Sequence, residues 1–256
     1  MQLCMINADG TDLQRLTNHN AHDYYPIFIS QGGGILYASN QGGSFDIFMF
    51  MLNSTKLYQL TNGIGNAFSP NPSPDGKTIL FANQPFSGPA ALWLMASTGK
   101  NPRILYSGSG AIVGAAWAPD GQTIAFVMSV DSQGNHQVFL IDVNVIPAAP
   151  RQITHDLAGL TGSLDWSPDG NYLLLCAGPA GDKDIFSLEV ATGEVIQLTD
   201  GGNNAAAAYS PDGKWIAFNS LRNNDQADIF IMQADGTYQR QLTDDPEPDW
   251  QPQWEP

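Results

Sequence analysis

The sequence predicts an all-β fold, a six-bladed β-propeller of four-stranded antiparallel blades, on three observations. The first is a turn motif that recurs as Ser73-Pro74-Asp75-Gly76, Ser167-Pro168-Asp169-Gly170 and Ser210-Pro211-Asp212-Gly213, with Ala118-Pro119-Asp120-Gly121 as a near copy. The turn prolines are spaced by 45, 49 and 43 residues, the length of one small sheet built from short strands. The second is a Leu-Thr marker on the same beat, at Leu16-Thr17, Leu60-Thr61, Ile153-Thr154, Leu198-Thr199 and Leu242-Thr243, with Ile104-Leu105 as its degraded form. The third is composition: of 256 residues only 14% are charged while 26 are Gly and 17 are Pro, which suits a turn-dense β protein and not long exposed helices.

The beat divides the chain into units of approximately 23–61, 67–105, 111–154, 160–199 and 205–243, with a sixth made of 249–256 joined to 1–17, so that residues 1–256 form a single domain. In the first unit a degenerate turn stands at Gln31-Gly32-Gly33 and the third strand at Asp46-Ile47-Phe48-Met49. The second has its third strand at Leu92-Trp93-Leu94-Met95; Pro72 there replaces an aromatic present in the other units, which predicts a looser packing seam. The third and fourth units carry Val138-Phe139-Leu140-Ile141 and Asp184-Ile185-Phe186-Ser187-Leu188. The fifth shows the plan most fully: Ala205 to Tyr209, the Ser210 turn, Lys214 to Phe218, Asp228 to Met232, the turn Ala234-Asp235-Gly236-Thr237, and Gln239 to Thr243. Proline presets φ at the first turn corner, Asp bonds its own backbone and Gly takes the positive φ that ends the turn, so these aspartates need no catalytic role.

The strands are apolar along their whole length, which requires a sheet covered on both faces, and radial stacking of blades supplies both covers. Phe28, Trp117, Trp166, Tyr209 and Trp254, one per unit just before the turn, then pack between blades. The sixth unit has an inner strand at Trp250 to Trp254 and strands like a third and fourth in the first 17 residues, one strand fewer than the others. A chain that starts in mid-blade reads as a piece of a longer protein.

Ten basic against twenty-five acidic residues leave a formal charge of −15, which repels phosphate backbones and anionic lipid, so nucleic acid is excluded as a partner. No apolar run reaches the roughly 18 residues of a membrane helix, which excludes direct membrane insertion by a helix, and Met1-Gln2-Leu3-Cys4 does not read as a signal sequence. Cys4 and Cys176 fall in strand-like segments of different units and are expected to be free thiols. The sequence contains no Gly-x-Ser-x-Gly, His-Glu-x-x-His, Cys-x-x-Cys or phosphate-binding Gly-rich loop, so it reads as no enzyme. His19, His22, His136 and His155 sit in or beside loops.

The unit resembles the TolB-type, WD-like bacterial propeller repeat: Asn7-Ala8-Asp9-Gly10 through Gln14-Arg15-Leu16-Thr17, and Asp169 through Thr199, match its pattern of a Trp-Ser-Pro-Asp-Gly turn, an Asp-Ile-Phe strand, Asn-Ala-Asp-Gly and Gln-Arg-Leu-Thr. The resemblance implies a monomeric, extracytoplasmic binding platform or scaffold, periplasmic or at the cell surface, for a protein or peptide partner. The alternative is an accessory substrate-gating propeller of a larger hydrolase or lyase, or the sensor segment of a regulator.

One site is expected within this scaffold. Aligning the residue five places before each inner-strand aromatic position yields Asp23, Ala67, Ile112, Thr161, Asn204 and Asp249. Ring closure would place Asp23 and Asp249 in neighbouring blades, with Asn204 next, and such oxygen ligands suit Ca²⁺ or another hard cation in the central channel. The competing expectation is that each Asp caps its own strand. The polar loops between second and third strands, Asn40–Ser44, Asp131–Asn135 and Arg222–Gln226, are the other places where recognition would sit.

Overall fold

The computed structural model describes residues 1–29, 33–223 and 226–256; Gln31 and Gly32 of the degenerate turn, and Asn224 and Asp225 of the last polar loop, lie outside the described residues. At each Ser-Pro-Asp-Gly copy the serine hydroxyl donates to the aspartate, Ser73 to Asp75 at 2.7 Å, Ser167 to Asp169 at 2.6 Å and Ser210 to Asp212 at 2.7 Å. The same carboxylates accept the N–H of Lys77, Asn171 and Lys214. These bonds hold all three below the ordinary carboxylate range, Asp212 at about 2. Gly76, Gly170 and Gly213 close the turns at φ of 68°, 75° and 69°.

Between the turns the chain forms five four-stranded antiparallel blades, each in simple up-and-down order. The first blade is β3 (Asp23–Phe28), β4 (Gly34–Ser39), β5 (Asp46–Met51) and β6 (Leu57–Gln59), preceded by a two-stranded sheet of β1 (Cys4–Met5) and β2 (Gln14–Arg15). The second is β7 (Asn66–Pro72), β8 (Thr78–Gln84), β9 (Ala91–Ala96) and β10 (Arg103–Ser107). The third is β11 (Ile112–Trp117), β12 (Thr123–Ser129), β13 (His136–Asp142) and β14 (Arg151–Gln152), and the fourth β15 (Leu164–Trp166), β16 (Tyr172–Ala177), β17 (Asp184–Glu189) and β18 (Val195–Gln197). The fifth is β19 (Asn204–Tyr209), β20 (Trp215–Ser220), β21 (Asp228–Gln233) and β22 (Arg240–Gln241). Second and third strands are buried on both faces, as the continuous apolar runs require. No helix among the described residues is long and apolar enough to cross a membrane. The two cysteines form no disulfide; Cys4 is exposed, and buried Cys176 donates its thiol to the Asn204 carbonyl.

The blade count departs from the expected six. Five blades are complete, residues 1–17 supply only the β1–β2 pair, and Trp250 to Trp254 carries no strand pairing. Its backbone nevertheless has the inner-strand shape. Two residues after Asp23, Ala67, Asn204 and Asp249 the chain enters the left-handed region at Tyr25 (φ 55°), Ser69 (52°), Ala206 (52°) and Gln251 (57°). In the first three this residue makes a β-bulge within a paired strand. The last stretch has the same bend but meets no second strand among the described residues, so no ladder forms.

The blades fall into two compact units, Met1–Gly108 and Ser109–Glu255. In the first, Ile47, Phe81, Met95 and Leu36 form a buried cluster with Ala67 between the two blades. In the second, Trp166 packs with Ala116, Ala125 and Leu173, and its indole N–H donates to the Ala116 carbonyl of the preceding blade at 3.2 Å. Trp254 repeats the bond to Ala208 at 3.1 Å, so these two aromatics of the beat combine packing with a polar anchor.

Candidate functional site

The Leu-Thr beat marks a buried hydroxyl with the same job in each copy. Thr17, Thr61, Thr154, Thr199 and Thr243 accept the N–H of Leu3, Ile47, Val138, Ile185 and Ile229, each at 2.9 Å. The hydroxyl proton is then available to a carboxylate: Thr61 donates to Asp46 at 2.8 Å, Thr199 to Asp184 at 2.8 Å and Thr17 to Asp23 at 2.7 Å. Two positions can hold that carboxylate. One opens the third strand; the other opens the next inner strand, whose N–H donates to the carbonyl just before that third strand. This second bond runs from Asp23 to Met1, Ala67 to Phe45, Asn204 to Lys183 and Asp249 to Ala227, at 3.2, 2.8, 2.7 and 2.7 Å.

Paired by this register, the two positions read Gln2 with Asp23, Asp46 with Ala67, Asp184 with Asn204, and Asp228 with Asp249. The first three pairs give each hydroxyl one acid. Asp184 is completed by its amide neighbour: Asn204 donates from Nδ2 to Asp184 at 3.1 Å, to Thr199 at 3.0 Å and to the Gly201 carbonyl at 2.9 Å. In the fifth blade one threonine faces two acids.

Thr243 serves Asp249, and Asp228, only 4% exposed, keeps Gln241 on Oδ2 at 2.8 Å and has no partner on Oδ1 among the described residues. Asp249 Oδ2 is likewise buried and unpartnered. Burial, reinforced by Asp245 and Asp228 and only partly offset by Thr243, raises Asp249 to about 6. Burial and then the charges of Asp245 and Asp244 push Asp228 upward as well. A cleft of about 490 Å³ opens here, lined by Asp228, Asp244, Asp245, Gln241, Gln226 and Arg222.

The three residues expected to ligate a cation have different surroundings. Asp23, in the first unit, accepts from Thr17, lies 3.4 Å from His19 Nε2 and keeps Oδ1 unpartnered among the described residues. Asn204 is committed: its two amide hydrogens are shared among nearby acceptors, and its Oδ1 accepts from the Arg222 guanidinium at 3.0 Å, so a fixed cation already occupies its acceptor. Asp249 alone sits in an acidic cluster. Among the described residues no group of three or more His, Cys, Asp or Glu is arranged to hold a metal ion. Sequence reasoning missed Asp228, Asp244 and Asp245. The signal was the Asp that opens Asp46-Ile47-Phe48, Asp184-Ile185-Phe186 and Asp228-Ile229-Phe230; only strand pairing shows that it shares a hydroxyl 15 residues on.

Asp249→Asn should restore the Asp184–Asn204 arrangement and stabilise the fold. Because the folded pKa lies above the usual carboxylate value of about 4, the folded chain binds the extra proton between about pH 4 and 6, and wild-type stability falls as pH rises through that window. Above it the penalty is complete. After discounting for solvent screening the variant gains about 1 kcal/mol at pH 7.5, a rise of about 3 °C in thermal midpoint, and the gain vanishes at pH 4. Thermal melts of both chains at the two pH values check this.

The TolB beta propeller domain family matches residues 87–256. An uncharacterized Agrobacterium fabrum protein, Atu1656, is 31% identical over 188 residues, 72% of this chain and 60% of that protein. The structure of TolB from Acinetobacter baumannii superposes with a TM-score of 0.86 at 21% identity, over 98% of this chain and 62% of that one. A Mycobacterium tuberculosis puromycin-hydrolyzing peptidase superposes at 0.67 and 15% identity, over 94% of this chain and 42% of that one. The chain thus spans about 60% of the first two and less than half of the third, and the last two show likeness of fold alone. With the family matched over two thirds of its length, on a repeat whose turns and threonines the structure accounts for, the chain belongs to the TolB beta propeller domain family.

Proposed function

We propose that the chain is a non-catalytic binding module that docks a protein or peptide partner, in the extracytoplasmic setting its family implies. One observation carries the reading: the fifth blade gathers Asp228, Asp244 and Asp245 around a cleft, with Asp249 close enough to feel the charges of Asp228 and Asp245, where the equivalent position of the preceding blade is neutralised. Rigid blades hold that cleft between two connecting loops, the usual place for recognition on a scaffold. Leaving acids together against their own repulsion costs stability, and such a cost is characteristic of sites kept for binding.

The test is affinity capture from an extracytoplasmic extract with the wild-type chain and with Asp244→Lys/Asp245→Lys, quantified by mass spectrometry. The reading expects at least one protein retained by the wild type and depleted about tenfold or more by the charge reversal, since like charges in an interface cost several kcal/mol. Identical capture by both chains would place any binding elsewhere and overturn it.

A further inference from the structure

Resting on that reading, we propose that the fifth-blade cleft is a socket for an arginine side chain of the partner, with Asp228 Oδ1 as its buried acceptor and Asp244 and Asp245 at its mouth. The acids alone would not specify this. Asp228 is 4% exposed, lines the cleft, and carries a buried Oδ1 that no described residue satisfies. A buried carboxylate oxygen without a donor is costly, and a charge-assisted bond from a ligand removes that cost.

The preceding seam of the same chain supplies the template. There Arg222 donates from Nη2 to Asn204 Oδ1 at 3.0 Å, from Nη1 to Gln239 Oε1 at 2.7 Å and from Nε to Ser220 Oγ at 2.9 Å. Its guanidinium lies 4.7 Å from the centroid of the Phe230 ring and 5.4 Å from that of Phe218. Asp249 holds in the next seam the register position that Asn204 holds in this one, and it is an acid in place of an amide. An internal arginine caps the neutral seam; the acidic seam has acceptors of the same kind, more charge and no internal cation on them among the described residues. Arg222 forms one wall of the cleft, but its guanidinium is turned to Asn204, Gln239 and Ser220, with one bond from each of its three nitrogens, and no bond runs from it to Asp228, Asp244 or Asp245 among the described residues. A planar fork with several donors fits separated carboxylate oxygens better than the point charge of an ammonium.

The experiment is an NMR titration of the isotope-labelled full chain with N-acetyl-arginine amide, N-acetyl-lysine amide and N-acetyl-citrulline amide, following the side-chain amides of Gln241 and Gln226. The proposal expects saturable shifts at those amides with the arginine compound, about tenfold weaker binding of the lysine compound and none of citrulline. It expects loss of the arginine effect in Asp228→Asn, and in Asp244→Asn/Asp245→Asn, whose changes lie at the more exposed mouth and spare the fold. Equal binding of arginine and citrulline, equal binding of arginine and lysine, or shifts that persist in both variants would each overturn it. If charge reversal abolishes capture of a partner while the arginine compound leaves Gln241 unmoved, the binding-module reading stands and the arginine socket falls.

Discussion

Gly114→Ala should be the most damaging single-methyl change in the second unit, lowering the thermal midpoint by about 10 °C. A Cβ built at Gly114 would lie 1.7 Å from the Gly162 carbonyl oxygen, and one at Gly162 would lie 2.0 Å from the Val113 carbonyl, so the third and fourth blades approach backbone to backbone. No rotamer relieves such a contact. The blades must separate, and with them the Trp166–Ala116 bond and the buried cluster around it. Overpacking of this kind costs about 3 kcal/mol, and a chain of this size loses roughly 2–4 °C per kcal/mol. Gly42→Ala is the control, because its nearest neighbours are Asp46 and Gln59 at 4.0 Å; it should change the midpoint by about 2 °C or less. Comparable losses in both variants, measured by differential scanning calorimetry, would remove close blade approach as the cause.

Thr199→Val tests the repeated hydroxyl. Valine keeps the shape of threonine, so the change isolates the polar group. Thr199 is 3% exposed; its hydroxyl accepts from Ile185 N–H at 2.9 Å and Asn204 Nδ2 at 3.0 Å and donates to Asp184 at 2.8 Å. Its loss strands a buried N–H and takes a donor from a carboxylate, at about 3 kcal/mol in total, or roughly 9 °C. Thr199→Ser retains the hydroxyl and should cost about 1 kcal/mol or less by urea denaturation. If serine proves as damaging as valine, packing of the methyl holds the seam and the hydroxyl does not.

How much of this was legible in the sequence depends on how far apart the partners lie. The Ser210-Pro211-Asp212-Gly213 turn is read directly, because Ser210 bonds Asp212 two residues away and Gly213 closes on Ser210. The third strands were equally plain: Asp184 to Leu188 lies within β17 because Ile185, Phe186 and Leu188 sit between a loop and a turn. The Leu-Thr beat was visible as a beat, but its chemistry was not. The bond from Thr199 to Asp184 spans 15 residues and appears only once β17 and β18 are in register. The alignment that singled out Asp23, Asn204 and Asp249 found the right inner-strand positions, as the shared left-handed residue two places on confirms. It missed that Arg222 satisfies Asn204 and that Asp228 stands opposite Asp249, since both facts belong to pairings between strands and loops distant in sequence. The sixth blade failed for a related reason: Trp250 to Trp254 has the bend of an inner strand, and sequence pattern alone does not say whether a second strand lies beside it.

The account turns on an acid pair that the chain leaves uncompensated in its fifth blade, and site-resolved titration of the aspartate carboxyl carbons by NMR tests that most directly. Wild-type chain should show two aspartates titrating well above the ordinary range. One is Asp165, raised to about 7 by burial, and the other is Asp249 at about 6. Asp249→Asn should delete the second, leave the first in place, and return Asp228 toward ordinary carboxylate behaviour as a donor reaches its free oxygen. An Asp249 that titrates near 4 with Asp228 unchanged by the substitution would mean that the two carboxyls do not share a seam, and the cleft would lose its claim to be the binding site.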